Sequence, residues 1–298
     1  MSIVVCKLPK AGLGNQLFPL MHALIFGKLN DLPVIITGYH AIKIGPWLRG
    51  EKSKRKYKGF FTFEKSWLGE ASDRQKVKRF ERKFEQVTEP EVMKLSAPEL
   101  ENKVFVFHEI GDYHDFFRRL KEYRDEVIET LYSIIDPAII NELNIKEAPV
   151  IGIHIRMGDF RKLEAGETYQ SGHVRPPVSL FIDLVNRIRV MNGKDLSVVI
   201  FSDGYRHELK KILLLKNIQL AENNCDLVDL LLLSKSSIIL PTHGSTFSAW
   251  ACFLSTASIL SVFNYPKPIR PGDLSGDLYE GTFDAGNELL RKNISGIL

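Results

Sequence analysis

From Pro149 onward the chain alternates short apolar runs with amphipathic stretches, and this rhythm limits its fold more than any other feature. Residues 150–155, 196–201, 237–240 and 257–262 read as strands. Between them, 177–190, 205–215, 226–233 and 245–254 carry helical periodicity. Strands apolar on both faces and joined through helices predict a parallel sheet covered on both sides. The first half starts the same way, with a strand at 3–6, a helix at 15–29 and a strand at 34–37. A further strand is expected at 104–108 and a charged helix at 112–135, whereas 39–100 is less regular and very basic. The expectation is an α/β protein with an N-terminal domain over residues 1–148 and a C-terminal domain over 149–298.

Composition narrows the class. A chain of 298 residues with 44% hydrophobic and 26% charged residues can bury a sizeable core, so collagen, coiled coil and disordered tail are excluded. A net charge of +4 is too small to point to nucleic acid. The start lacks the basic and long apolar regions of a signal peptide, and no run approaches a membrane span. Cys6, Cys225 and Cys252 are odd in number, and two sit in apolar segments, which fits a reducing cytoplasm.

Ligands of open α/β sheets bind beyond the carboxyl ends of strands. Four loops in that position carry chemistry. Gly12-Leu13-Gly14-Asn15-Gln16-Leu17-Phe18 offers backbone N–H groups at a helix start, or is a tight turn capped by Asn15. It is neither a Walker A loop nor G-x-G-x-x-G. His154-Ile155-Arg156-Met157-Gly158-Asp159-Phe160 ends a strand, and alternation puts His154 and Arg156 on one side. The Arg156 fork suits a diphosphate. Asp203, in Phe201-Ser202-Asp203-Gly204, either caps a helix or accepts from a base or ribose. Ser245, Thr246 and Ser248 open a helix, where they either cap it or cradle phosphate.

In this order the four loops resemble the α-1,2-fucosyltransferases, family 11 of the glycosyltransferases. That family shows Gly-Leu-Gly-Asn-Gln-Leu-Phe, His-x-Arg-Arg-Gly-Asp-aromatic, Phe-Ser-Asp-Asp and a Ser-Phe-Ser-Trp-type segment, and the likeness runs over residues 3 to about 262. Two positions depart from it: Met157 stands where the second Arg is usual, and Gly204 where the second Asp is.

The resemblance implies two Rossmann-like domains of the GT-B type and an inverting transfer of L-fucose from GDP-β-L-fucose to a galactose hydroxyl. It implies no metal. In keeping with that, the chain contains no Asp-x-Asp, the usual metal–diphosphate motif of the other glycosyltransferase architecture. Arg156 would bind the β-phosphate, and His154 and Asp203 the guanine end. Ser245, Thr246 and Ser248 would line the phosphates, while Gly14 and Asn15 would close over donor and acceptor from the first domain. Asp159 is the first candidate for general base, or else it positions Arg156. Glu164 and Glu167 stand behind it.

Seven Lys/Arg crowd residues 43–58 and six more lie in 74–83. They form either a solvated helix face or a contact with anionic lipid, where a lipid-linked oligosaccharide acceptor would be displayed. The expected place of action is the cytoplasmic side of a membrane. The departures at Met157 and Gly204 leave open another donor or linkage on the same fold, or a catalytically silent nucleotide-binding protein.

Overall fold

The computed structural model describes residues 2–48, 50, 55, 57–169, 174–272 and 276–297. Its elements are β1 (Ile3–Lys7), α1 (Leu13–Asn30), β2 (Val34–Thr37), α2 (Gly45–Leu48), α3 (Trp67–Lys83), β3 (Glu85–Thr88), α4 (Ala97–Leu100), β4 (Lys103–Phe107), α5 (Arg124–Ile134) and α6 (Pro137–Asn144). There follow β5 (Ile151–Ile155), α7 (Val178–Asn192), β6 (Val198–Ser202), α8 (Lys210–Leu213), β7 (Ile218–Leu220) and α9 (Asp226–Ser234). The chain ends through β8 (Ile238–Leu240), α10 (Thr246–Leu254), β9 (Ser258–Leu260), β10 (Glu280–Gly281) and α11 (Glu288–Ser295).

The chain divides into two compact units, each with its own parallel sheet, so the α/β class and the two Rossmann-like sheets are as expected. The first unit holds Met1–Lys43, Arg55–Asp112 and Phe117–Ile140; the second holds Ile44–Lys54, Tyr113–Phe116 and Asn141–Leu298. The changeover falls inside α6, upstream of Pro149.

In the first unit the strand order is β2-β1-β4-β3, with β1 fully buried over Val4, Val5 and Cys6. In the second it is β10-β9-β8-β5-β6-β7. Numbered from β5, this is the doubly wound order 3-2-1-4-5-6, whose crevice opens where β5 meets β8. Apolar faces explain the layer. Ile151, Ile153, Ile155, Val198, Ile200, Ile238 and Leu240 are all buried against α7, α8 and α11.

Three stretches differ from expectation. Within 39–100 the chain forms α3 and β3. The helix α3 packs only Val77 and Phe80 on the sheet and is supported by pairing: Ser66 caps it, Arg74 pairs with Glu70, and Lys76 lies 3.6 Å from Asp73. The expected helix at 112–135 is regular only from Arg124 to Ile134, and the one at 205–215 only from Lys210 to Leu213. Strands β7 and β10 and helix α11 lie where no element was expected. The first two are too short to show periodicity.

Candidate active site

Strand β5 ends at the crevice, and its last residues split toward both neighbours. His154 is 4% exposed and turns to the β8 side, where its Nδ1 lies 2.6 Å from Ser248 Oγ and its ring stacks on Phe247. Arg156 turns to the β6 side. Its Nη1 is 2.5 Å from Asp203 Oδ2 and its Nη2 is 2.6 Å from Asp159 Oδ1, so two carboxylates grip one guanidinium. The two side chains expected on one side thus turn apart, because Arg156 lies one residue past the end of β5, where strand alternation no longer sets its direction.

Thr242, which opens the fourth loop of the sequence but has no role assigned there, ties the two sides together. Its hydroxyl donates to the His154 carbonyl at 2.6 Å and accepts from the Arg156 N–H at 2.9 Å. Its own N–H donates to Ser248 Oγ at 3.1 Å. A threonine just past a strand looks like an ordinary turn residue, and only the β5–β8 pairing gives it this role. Asp203 Oδ1 also accepts from the Met157 N–H at 2.8 Å. One carboxylate thus holds both the backbone and the side chain of the Arg156 loop.

The hydroxyls at the start of α10 are placed unequally. Ser245 caps the helix, its side chain accepting from the Ser248 N–H. Ser248 is fully buried and engaged with His154 and Thr242, so it acts on a ligand only through them. Thr246 is half-buried at the first turn of the helix. Gly14 and Asn15 lie in the first unit on the opening turn of α1. The N-cap there is Gly12 rather than Asn15, and the Leu13 N–H donates to Tyr57 Oη at 2.8 Å. Asn15 Oδ1 is buried with no hydrogen-bond partner among the described residues. Pro19, inside α1, lacks the N–H that would meet the Asn15 carbonyl.

Of the reserve carboxylates, Glu167 is paired with an arginine, as Asp159 is. Glu167 receives both Arg161 Nη1 at 2.7 Å and Nη2 at 2.5 Å, and the Glu164 N–H as well. The Arg161 bonds, then the Glu164 backbone bond, hold its carboxyl down to about 2, which makes it a weak proton acceptor.

The two departures from the family pattern touch each other. A Cβ added to Gly204 would lie 2.7 Å from Met157 Cγ and 3.0 Å from Met157 Cβ. Met157 is buried in the core beneath the sheet end. Its methylene carbons thus take up the room that a second aspartate would need.

Burial fixes the charge state of His154. Desolvation lowers its pKa to about 3, with Asp203 pulling back up and Arg156 adding to the fall, so the ring is neutral at pH 7. His22, buried in α1, is lowered to about 3 by burial and then by Arg119. In the unfolded chain both titrate near ~6.5. Below that pH the unfolded state takes up protons that the folded state refuses. Folding stability should therefore fall as pH drops from ~6.5 toward ~3, by up to about 1.4 kcal/mol per pH unit for each ring, and be unaffected by them above ~7. Urea midpoints at several pH values should show this slope. It should shrink in His154→Gln and in His22→Leu, and an unchanged slope in both would refute the assignment.

The parallel sheet of dinucleotide-binding order, with Arg156 held between Asp159 and Asp203 at the end of β5, defines a Rossmann-like α/β protein. The family model described as Glycosyl transferase family 11 matches residues 62–271. The chain belongs to that family and is a glycosyltransferase by membership. No curated protein matches it. Among solved structures it is similar to the fucosyltransferase NodZ from Bradyrhizobium at 13% identity, covering 87% of this chain and 95% of that one with a TM-score of 0.49. POFUT1 in complex with GDP-fucose is similar at 12% identity, 86% and 94% coverage and a TM-score of 0.43. An arginine-to-lysine variant of FUT1 from Arabidopsis thaliana in complex with GDP is similar at 11% identity, 92% and 73% coverage and a TM-score of 0.47.

Proposed function

We propose that this glycosyltransferase moves L-fucose from GDP-β-L-fucose to a galactoside hydroxyl, with inversion, giving an α-1,2 linkage without a metal. The observation that carries the reading is Arg156, which follows β5 at the β5–β8 switch point and is gripped by Asp203 and Asp159. In this reading the acceptor oxygen attacks the sugar C1 from the face opposite the diphosphate. The C1–O bond breaks through an oxocarbenium-like state, GDP leaves with one more negative charge, and a carboxylate takes the acceptor proton. Arg156 faces the charge as it develops, aided by Thr246 and the α10 N–H groups. Asp159 is the base; the incoming diphosphate competes for Arg156 and frees its carboxylate. Neutral His154 and Asp203 recognise guanine, while Ser248 and Ser245 hold that side in place. Gly14 and Asn15 are assigned to donor contact on the family pattern.

The residues 1–148 side is proposed to bind the acceptor, a glycan or lipid-linked oligosaccharide, with peripheral membrane contact through 43–83. In that segment Arg49, Lys52, Lys54 and Lys56 lie outside the described residues, and Arg74 and Lys76 are already paired. Among the described residues no helix is long and apolar enough to cross a membrane.

One experiment separates the readings. Protein treated with EDTA is given GDP-fucose and a galactoside, GDP release is followed, and the product linkage is read by NMR. Turnover to an α-1,2 product is expected. Thermal stabilisation by UDP, dTDP or CMP but not GDP would sink the donor assignment, and GDP binding without turnover would favour a silent protein. Failure to sediment with anionic vesicles at low salt would remove the membrane contact.

A further inference from the structure

Arg175 lies outside every loop that the motifs single out, yet its side chain reaches one of them directly and the segment after another through Glu208. Its Nε donates to the Phe160 carbonyl at 2.9 Å and its Nη2 to the Gly158 carbonyl at 3.3 Å. These are the peptide carbonyls on either side of Asp159. Its Nη1 lies 2.6 Å from Glu208 Oε1, and the other Glu208 oxygen accepts from the Tyr205 N–H at 2.8 Å. Glu208 stands in the turn that leaves Asp203. The Arg175 backbone joins in as well, its N–H donating to the Arg161 carbonyl at 2.8 Å. Both side chains are largely buried, at 23% and 21% exposure.

The result is a second clamp behind the first. Asp159 and Asp203 grip Arg156, and each rides on a loop that Arg175 or Glu208 holds by its backbone. We infer that Arg175, with Glu208, is a positioning residue that sets the spacing of the Asp159–Arg156–Asp203 clamp. Neither residue touches the reacting groups. The inference rests on the reading of Arg156 as the donor diphosphate site. The geometry calls for arginine: three acceptors lie around one planar fork, which a lysine ammonium meets only in part.

The test is GDP affinity by calorimetry, with donor turnover and thermal midpoints, for wild type, Arg175→Met, Arg175→Lys and Glu208→Gln. Arg175→Met should weaken GDP at least tenfold and lower kcat more than it raises the acceptor KM. Arg175→Lys should recover part of the loss. Glu208→Gln should cost about threefold, because two carbonyl bonds remain. The double variant should be no worse than Arg175→Met alone. A folded Arg175→Met protein with wild-type affinity and turnover overturns the inference, whatever its thermal midpoint. If that variant does not fold, wild-type behaviour in both Arg175→Lys and Glu208→Gln overturns it. A wild type that binds no GDP would refute the donor reading instead. Hydrogen exchange then decides this inference without a ligand: the Met157 amide, held by Asp203, should exchange at least tenfold faster in the variants, and unchanged exchange would refute it.

Discussion

Arg156→Ala should cost turnover roughly 10³-fold and remove most GDP affinity, the scale seen when a preorganised charge-stabilising donor is deleted. The loss has two parts. The developing negative charge on the leaving diphosphate loses its fixed counter-charge, and the Asp203 carboxylate, 9% exposed, loses the cation that compensates it. A buried carboxylate left without its partner destabilises a fold by about 3 kcal/mol. Asp203→Asn in the Arg156→Ala background should therefore restore part of the stability without restoring turnover. Arg156→Lys keeps a charge but cannot meet Asp159, Asp203 and a phosphate with one planar fork, so it should recover little activity. Single-turnover assays and thermal midpoints on the same preparations separate the two effects. An Arg156→Ala protein within threefold of wild type would rule out this site as the donor site.

The second large effect is expected at Gly204. Among the described residues its backbone does not occupy the left-handed region, so only packing opposes a side chain there. Gly204→Asp should destabilise by about 1–3 kcal/mol, through overpacking against Met157 and a second carboxylate beside Asp203. Met157→Arg alone sets a second cation next to Arg156 in a buried position and should be worse. Together, Met157→Arg with Gly204→Asp exchanges an apolar contact for an ion pair of no net charge. Such exchanges are often close to neutral. The double variant should therefore be more stable than either single variant, and should keep GDP affinity. Additive losses in a double-mutant cycle would show the two positions to be independent. If they are coupled, the two departures from the family pattern are one compensated change, and neither argues for a silent protein.

Much of this was legible before any coordinates. Runs such as Ile151–Ile155 and Ile238–Leu240 announce a parallel sheet because burial on both faces demands apolar residues at every position. The loops after them stand out because Gly, Asp, Arg and hydroxyl residues are unusual beside such strands. The helix α3 is only faintly marked because Val77 and Phe80 are its short apolar side among many charges, and pairs such as Arg74 with Glu70 support it. In the clamp, Arg156 and Asp203 stand in loops that the sequence marks out, whereas the contacts of Thr242, Arg175 and Glu208 are not legible there. Each looks like a common turn or surface residue until its partner 86, 15 or 33 positions away is known.

By itself the sequence determined the α/β class, the polar loops at the strand ends and the residues able to carry charge, because periodicity and side-chain chemistry are local properties. Tertiary structure alone decided which carboxylates grip Arg156, that Ser248 faces His154 instead of a ligand, and that Met157 fills the space above Gly204. Those outcomes follow from strand order. Placing β8 and β6 on opposite sides of β5 brings together loops far apart in the chain, and no local pattern encodes that order.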